Sequence, residues 1–197
     1  GGEVFYTGNN EAASGHYRPP AFVRPDPFWE HQDFRAEAAR RMGRPEGSIT
    51  RKESDAFWWR EGFRFITTHP GRYAALLWDK LTTWFTSYER PDNYSFENFK
   101  RFVPLLGWPL PVFGVVAPLG LLGVALSARR FRETLPLLAA MTAYLVSALL
   151  FFTQSRYRMP MIPLLAVFAG HGAASLAGWA LAARWRPLTA AAVVVAI

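Results

Sequence analysis

Thr134–Phe152 reads TLPLLAAMTAYLVSALLFF, nineteen consecutive residues without a formal charge. A soluble helix seldom runs that far without a polar face, and about twenty apolar residues cross the hydrocarbon core of a bilayer. Working outward, Pro104–Ser127 is apolar throughout, though Pro104, Pro109, Pro111 and Pro118 must distort its first half. Downstream, Pro160–Ala183 holds no ionisable residue except His171, and Leu188–Ile197 reads as the start of a fourth span. The reading is an all-α, polytopic membrane protein with an outer helical subdomain followed by transmembrane helices.

Charge supports this division. Residues 1–103 carry 15 of the 22 Lys and Arg and 14 of the 15 Asp and Glu, a net charge of +1. Residues 104–197 carry seven Arg and one Glu, so the remaining +6 sits in short clusters between apolar runs. That pattern belongs to membrane loops, and it excludes a basic face for nucleic acid. Ala128–Glu133 (ARRFRE) and Arg184-Trp185-Arg186 fall on one side, Thr153–Met159 (TQSRYRM) on the other. Positive-inside counting puts the first two in the cytoplasm, and residues 1–103 with the RYR segment outside. Cysteine is absent, so disulfides and thiolate metal sites are excluded. Four His without Cys suggest no zinc site, and no Gly-rich phosphate loop, nucleophile elbow or HExxH is present. Without an initiator Met or a signal-like start, the chain is expected to be an interior or C-terminal part of a larger protein.

The outer half divides into an extended segment, 1–27, and a helical region, 28–103. The first is rich in Gly, Pro and Asn, with Asn9-Asn10 and Ser14–Tyr17 as turns with exposed polar tips. Helices are expected over Phe28–Gly43, from Thr50 to about Thr68, and from Arg72 to about Tyr88. Thr50-x-x-Glu53 forms a capping box, and His69-Pro70-Gly71 breaks the chain between the last two. Tyr73, Leu77, Leu81, Trp84, Phe85 and Tyr88 recur at helical spacing, with Trp78 nearby. With Trp58, Trp59, Phe63 and Phe65 they make more aromatic surface than a small core absorbs, which suits a membrane–water interface. In the third span Ala166, Gly170, Ala174 and Gly178 form a small-residue stripe suited to close helix approach. His171 beside it is either functional or a neutral His hydrogen-bonded to a neighbouring helix.

Gly8-Asn9-Asn10 with Ser14-Gly15, His69-Pro70-x-x-Tyr73 leading to Lys80, and Arg156-Tyr157-Arg158-Met159-Pro160 entering a span occur in this order. The constellation resembles the C-terminal part of bacterial membrane glycosyltransferases of the GT-C superfamily, including the protein mannosyltransferase and aminoarabinose transferase relatives of family 39 type. The resemblance implies a multi-pass protein of the bacterial inner membrane that moves a sugar from a polyprenyl-phosphate donor to an acceptor on the outer face. Membrane lipid is the implied surrounding, the acceptor is undefined, and no nucleic acid is involved. The family's catalytic carboxylate usually lies in the first outer loop, so no catalytic residue is assigned here. Asp26, Asp33, Asp55 and Asp79 read as ordinary turn or helix carboxylates. No cofactor is identified; the divalent metal used by some members would take its ligands mostly from outside this stretch.

A departing polyprenyl phosphate builds negative charge, and the planar fork of Arg suits phosphate oxygens. Arg156 and Arg158, with Tyr157 between them, are therefore expected at the lipid phosphate; the alternative is interfacial anchoring by snorkelling side chains. Lys80 is a second such cation, again with snorkelling as its alternative, because it shares a face with Tyr73, Leu77 and Trp84. A non-catalytic polytopic scaffold or assembly subunit whose outer domain binds a partner is the competing account. A transporter, which would want broken helices at mid-membrane, is a third.

Overall fold

The computed structural model describes residues 1–24, 26–86, 96–103, 113–185, 187 and 189. Among them the fold is all-helical: α1 (Gly2–Gly8), α2 (Glu30–Arg41), α3 (Arg51–Thr68), α4 (Pro70–Phe85), α5 (Phe96–Phe102), α6 (Phe113–Leu126), α7 (Phe131–Leu149) and α8 (Ile162–Leu181). Two 3-10 segments, Ser127–Arg130 and Ser155–Met161, precede α7 and α8. The chain forms two compact units, one of Gly1–Thr83 with Val146–Gln154, the other of Trp84–Leu145 with Ser155–Ile197.

The first unit is built around Trp58. Its indole is fully buried, packed by Tyr6, Phe22 and Phe34 at ring-centroid distances of 4.5, 5.3 and 5.2 Å, and its Nε1 donates to the Phe34 carbonyl. Ala38, Ala39 and Ile49 complete the core. α3 starts on the expected capping box, with Thr50 Oγ1 accepting from the Glu53 amide and the Glu53 carboxylate accepting from the Thr50 amide. α2 ends where Gly43 adopts φ +68, the left-handed conformation that stops a helix. The expected break at His69-Pro70-Gly71 is confined to His69, because proline is well placed in the first turn of α4.

The expected extended segment 1–27 is corrected by α1. Two glycines at its start and one at its end hide a short amphipathic turn that lies on α3. Close approach explains them: a Cβ on Gly2 would overlap the Asp55 carbonyl, and a methyl on Gly62 of α3 would sit 2.6 Å from the Phe5 ring. Phe5 stacks on Trp59 at 4.2 Å and touches Phe63 and Phe151 at 5.0 and 6.2 Å. Of the aromatics expected at an interface, the four on α3 divide: Trp58 and Phe65 are core, whereas Trp59 is half-buried and Phe63 exposed.

The second unit joins α6 and α8 through glycine. A Cβ on Gly123 would overlap the Phe168 carbonyl, and one on Gly172 the Leu119 carbonyl. Phe113 and Ala117 meet Leu165, Gly120 also meets Leu165, and Gly123 meets Phe168, so the two helices run in the same direction. α7 returns between them in sequence, bringing Met141 to the Phe113–Ala117–Leu165 cluster. The expected loop Ala128–Glu133 is helical throughout, as a 3-10 turn and the start of α7. Two stretches, Phe113–Leu149 and Arg156–Leu181, are long and apolar enough to cross a membrane. The first half of the expected span Pro104–Ser127, Tyr88 and the expected fourth span lie outside the described residues.

The small-residue stripe on α8 is corrected too. Ala166, Gly170, Ala174 and Gly178 are exposed, and among the described residues nothing lies within 4 Å of a Cβ on Gly170 or Gly178. α8 instead packs through Leu165, Phe168, Ala169 and Gly172, one residue out of phase, where Gly120 and Gly123 of α6 and its own Gly172 open the contact.

Candidate functional site

In the first unit Gly8, Asn9, Gly15 and Lys80 converge. Lys80 is fully buried in α4, and its Nζ donates to Asn9 Oδ1 at 3.1 Å and to the Leu149 carbonyl at 3.0 Å. Asn9, also fully buried, donates through Nδ2 to the Phe5 carbonyl at 2.8 Å and the Leu150 carbonyl at 2.7 Å. These carbonyls belong to the ends of α1 and α7, where four acceptors per helix lack an intrahelical partner and the dipole is negative. A donor-rich side chain buried at two helix C-termini satisfies them. Gly8 allows the approach, since a Cβ there would overlap the Phe151 carbonyl. Gly15, at φ +85, turns the chain so that its carbonyl accepts from the Thr153 amide at 2.8 Å.

This arrangement corrects one expectation and gives Lys80 its place. Asn9 and Asn10 are buried rather than exposed turn tips: Asn9 is the hub just described, and Asn10 Nδ2 donates back to the Tyr6 carbonyl. Lys80 holds helix ends together and does not present its ammonium at a surface. Among the described residues no carboxylate pairs with it, and burial pushes its pKa down from 10.5 to about 7. A neutral amine keeps two N–H groups, which matches its two acceptors.

In the second unit the motif Arg156-Tyr157-Arg158 lies in the 3-10 segment that leads into α8. Arg158 is buried; its Nη1 donates to the Thr86 carbonyl at 2.7 Å and its guanidinium lies 4.8 Å from the centre of the Phe113 ring. Tyr157 is half-buried, and its carbonyl accepts from the Tyr144 hydroxyl at 2.7 Å. Arg156 is exposed, with its guanidinium 5.3 Å from the Tyr157 ring centre. The two arginines therefore differ in kind: one braces the turn from inside, and the other faces outward. The spacing alone had made them equivalent.

The carboxylates behave as ordinary ties. Asp33 binds Arg24 through both oxygens, which holds its carboxyl below the usual range, and Asp55 accepts from the Gly2 amide. A cleft of about 550 Å³ on the first unit includes Tyr6, Phe22 and Phe65 in its lining, with the pairs Glu11–His69 and Glu61–Arg64. No group of three or more His, Asp or Glu able to hold a metal ion occurs among the described residues. Sequence reasoning missed Asn9 as a hub, for its partners lie 71 and 141 residues away as well as one turn back. No protein-family model matches the chain, and neither does any curated protein or solved structure.

Proposed function

We propose that the chain is part of an integral-membrane glycosyltransferase that moves a sugar from a polyprenyl-phosphate donor to an acceptor on the outer face. In this reading it supplies contacts to the lipid phosphate, and the catalytic carboxylate comes from elsewhere in the protein. The observation that carries it is the turn at Ser155–Met161. Arg158 is clamped between the Thr86 carbonyl and the Phe113 ring, and this fixes a backbone from which Arg156 points outward at the mouth of an apolar helix. A guanidinium fixed at that level suits the charge that develops on a departing phosphate. Two further observations support the reading. α6 and α8 run in the same direction with α7 between them in sequence, as the first and third of three consecutive crossings must. Gly8, Asn9, Gly15 and Lys80, which carry the resemblance from separate stretches of sequence, also meet in one buried cluster.

The test is transfer of labelled sugar from a polyprenyl-phosphate donor in membranes carrying the full-length protein. Arg156→Ala should lower turnover about 100-fold, the scale for removing one charge-stabilising donor, while the amount of inserted protein is unchanged. Arg158→Ala should reduce folded protein instead. Unchanged turnover in Arg156→Ala removes the phosphate role, and a wild type that transfers no polyprenyl-linked sugar leaves the scaffold account standing.

A further inference from the structure

In the second unit a cavity of about 460 Å³ opens where α6 turns into α7. It is lined by Ser127, Arg129, Arg130, Glu133, Thr134 and His171, with Leu126 behind them. That volume is within the range of small-ligand sites, roughly 300–1,000 Å³. Its lining carries groups of both signs. Arg129 and Arg130 are exposed, and among the described residues neither pairs with a carboxylate, although Glu133 stands four and three residues on. That is the spacing at which a helix joins opposite charges, so both forks and the carboxylate remain available to a ligand. Ser127 gives its hydroxyl proton to the Gly123 carbonyl, and Thr134 gives its own to the Arg130 and Phe131 carbonyls. Both hydroxyl oxygens are left as acceptors. The cavity thus offers donors for an anion beside acceptors for a cation.

We propose that this cavity binds the zwitterionic headgroup of a phosphoethanolamine lipid, with the phosphate on Arg129 and Arg130 and the ammonium facing Glu133, Ser127 and Thr134. Arg suits phosphate oxygens, and a primary ammonium carries three donors for those three acceptors. A lipid is favoured over a soluble ligand because the two helices that meet at the cavity carry exposed apolar side chains. Leu121, Phe131 and Leu135 are 41, 53 and 45% exposed, surface that acyl chains would cover. The proposal rests on the membrane reading above. It does not depend on the transferase activity.

Native mass spectrometry of the full chain, released from detergent with equal amounts of phosphatidylethanolamine, phosphatidylglycerol and phosphatidylcholine of matched acyl chains, tests it. Phosphatidylethanolamine should be retained on the order of tenfold over the other two. Arg129→Gln with Arg130→Gln should abolish that preference, and Glu133→Gln should erase the margin over phosphatidylglycerol alone. Arg132→Gln, the third arginine of the same segment but outside the cavity lining, should change nothing. Equal loss in Arg132→Gln would mean general surface charge and overturn the proposal. So would equal retention of the three lipids by the wild type, or displacement of the lipid by soluble phosphoethanolamine. A chain that retains no lipid of any headgroup would instead overturn the membrane reading itself.

Discussion

The two units solve the same packing problem by opposite means. The first buries large side chains: Trp58, Phe5, Phe34 and Leu76 are each at most 2% exposed. The second brings backbone to backbone at Gly123 and Gly172, while Val115, Leu121, Val167 and Leu181 stay outside. In water the first solution is driven by removal of apolar area, about 25 cal/mol per Å². The second draws less from that source: Phe113, Leu122, Leu165 and Phe168 are buried, but many of its apolar side chains remain on the surface. It makes sense where the surroundings are themselves apolar and helices associate through close van der Waals contact.

The largest effect should come from breaking the first solution. Trp58→Ala leaves a cavity among Tyr6, Phe22 and Phe34 and should cost about 3–5 kcal/mol. Thermal melts followed by circular dichroism in detergent would read it. A variant melting within about 2 °C of the wild type would mean that Trp58 is not the centre of that core.

The second solution is tested by two glycines that look alike in sequence. Gly123→Ala places a methyl against the Phe168 carbonyl and should destabilise the α6–α8 pair by about 1–3 kcal/mol. Gly170→Ala meets nothing within 4 Å among the described residues and should be neutral, or gain up to about 1 kcal/mol from helix propensity. Unfolding in a titration with denaturing detergent would compare them. Shifts of the same sign would show that the close contact runs along the other face of α8.

These glycines also mark what a sequence discloses. The Thr50–Glu53 capping box is legible because all of its partners lie within one turn. Helix type and the apolar stretches are legible because they depend on local spacing and composition. The packing face of α8 is not, since it depends on Gly120 and Gly123 of α6 as well as on its own Gly172. The same holds at the candidate site. Arg156-Tyr157-Arg158 can be found by eye, but the division of labour between the arginines depends on the Thr86 carbonyl and the Phe113 ring, 72 and 45 residues away in the chain. Asn9 reads as a turn residue until Lys80 and Leu150 are brought to it.

Lys80 sharpens the comparison from its polar side, because it is an ionisable group buried in the unit that packs by exclusion of water. Its folded pKa is lowered to about 7 by burial, against 10.5 for the ordinary side chain. Below pH 7 folded and unfolded chains both carry the proton, so this group gives stability no dependence on pH. Between about 7 and 10.5 the unfolded chain holds a proton that the folded one has released, so stability rises with pH, by at most about 1.4 kcal/mol per unit. Above that range both forms are neutral and the slope vanishes again. Lys80→Met keeps the apolar stem and removes the titration, so its stability should be flat where the wild type climbs. Melts at pH 7, 8 and 9 would show the difference, and they stay below the range in which tyrosines ionise. A wild type as flat as the variant would mean that Lys80 keeps its proton when folded. The Leu149 carbonyl and Asn9 Oδ1 would then be enough to hold a full positive charge away from water, and the cluster would be an ion site in its own right.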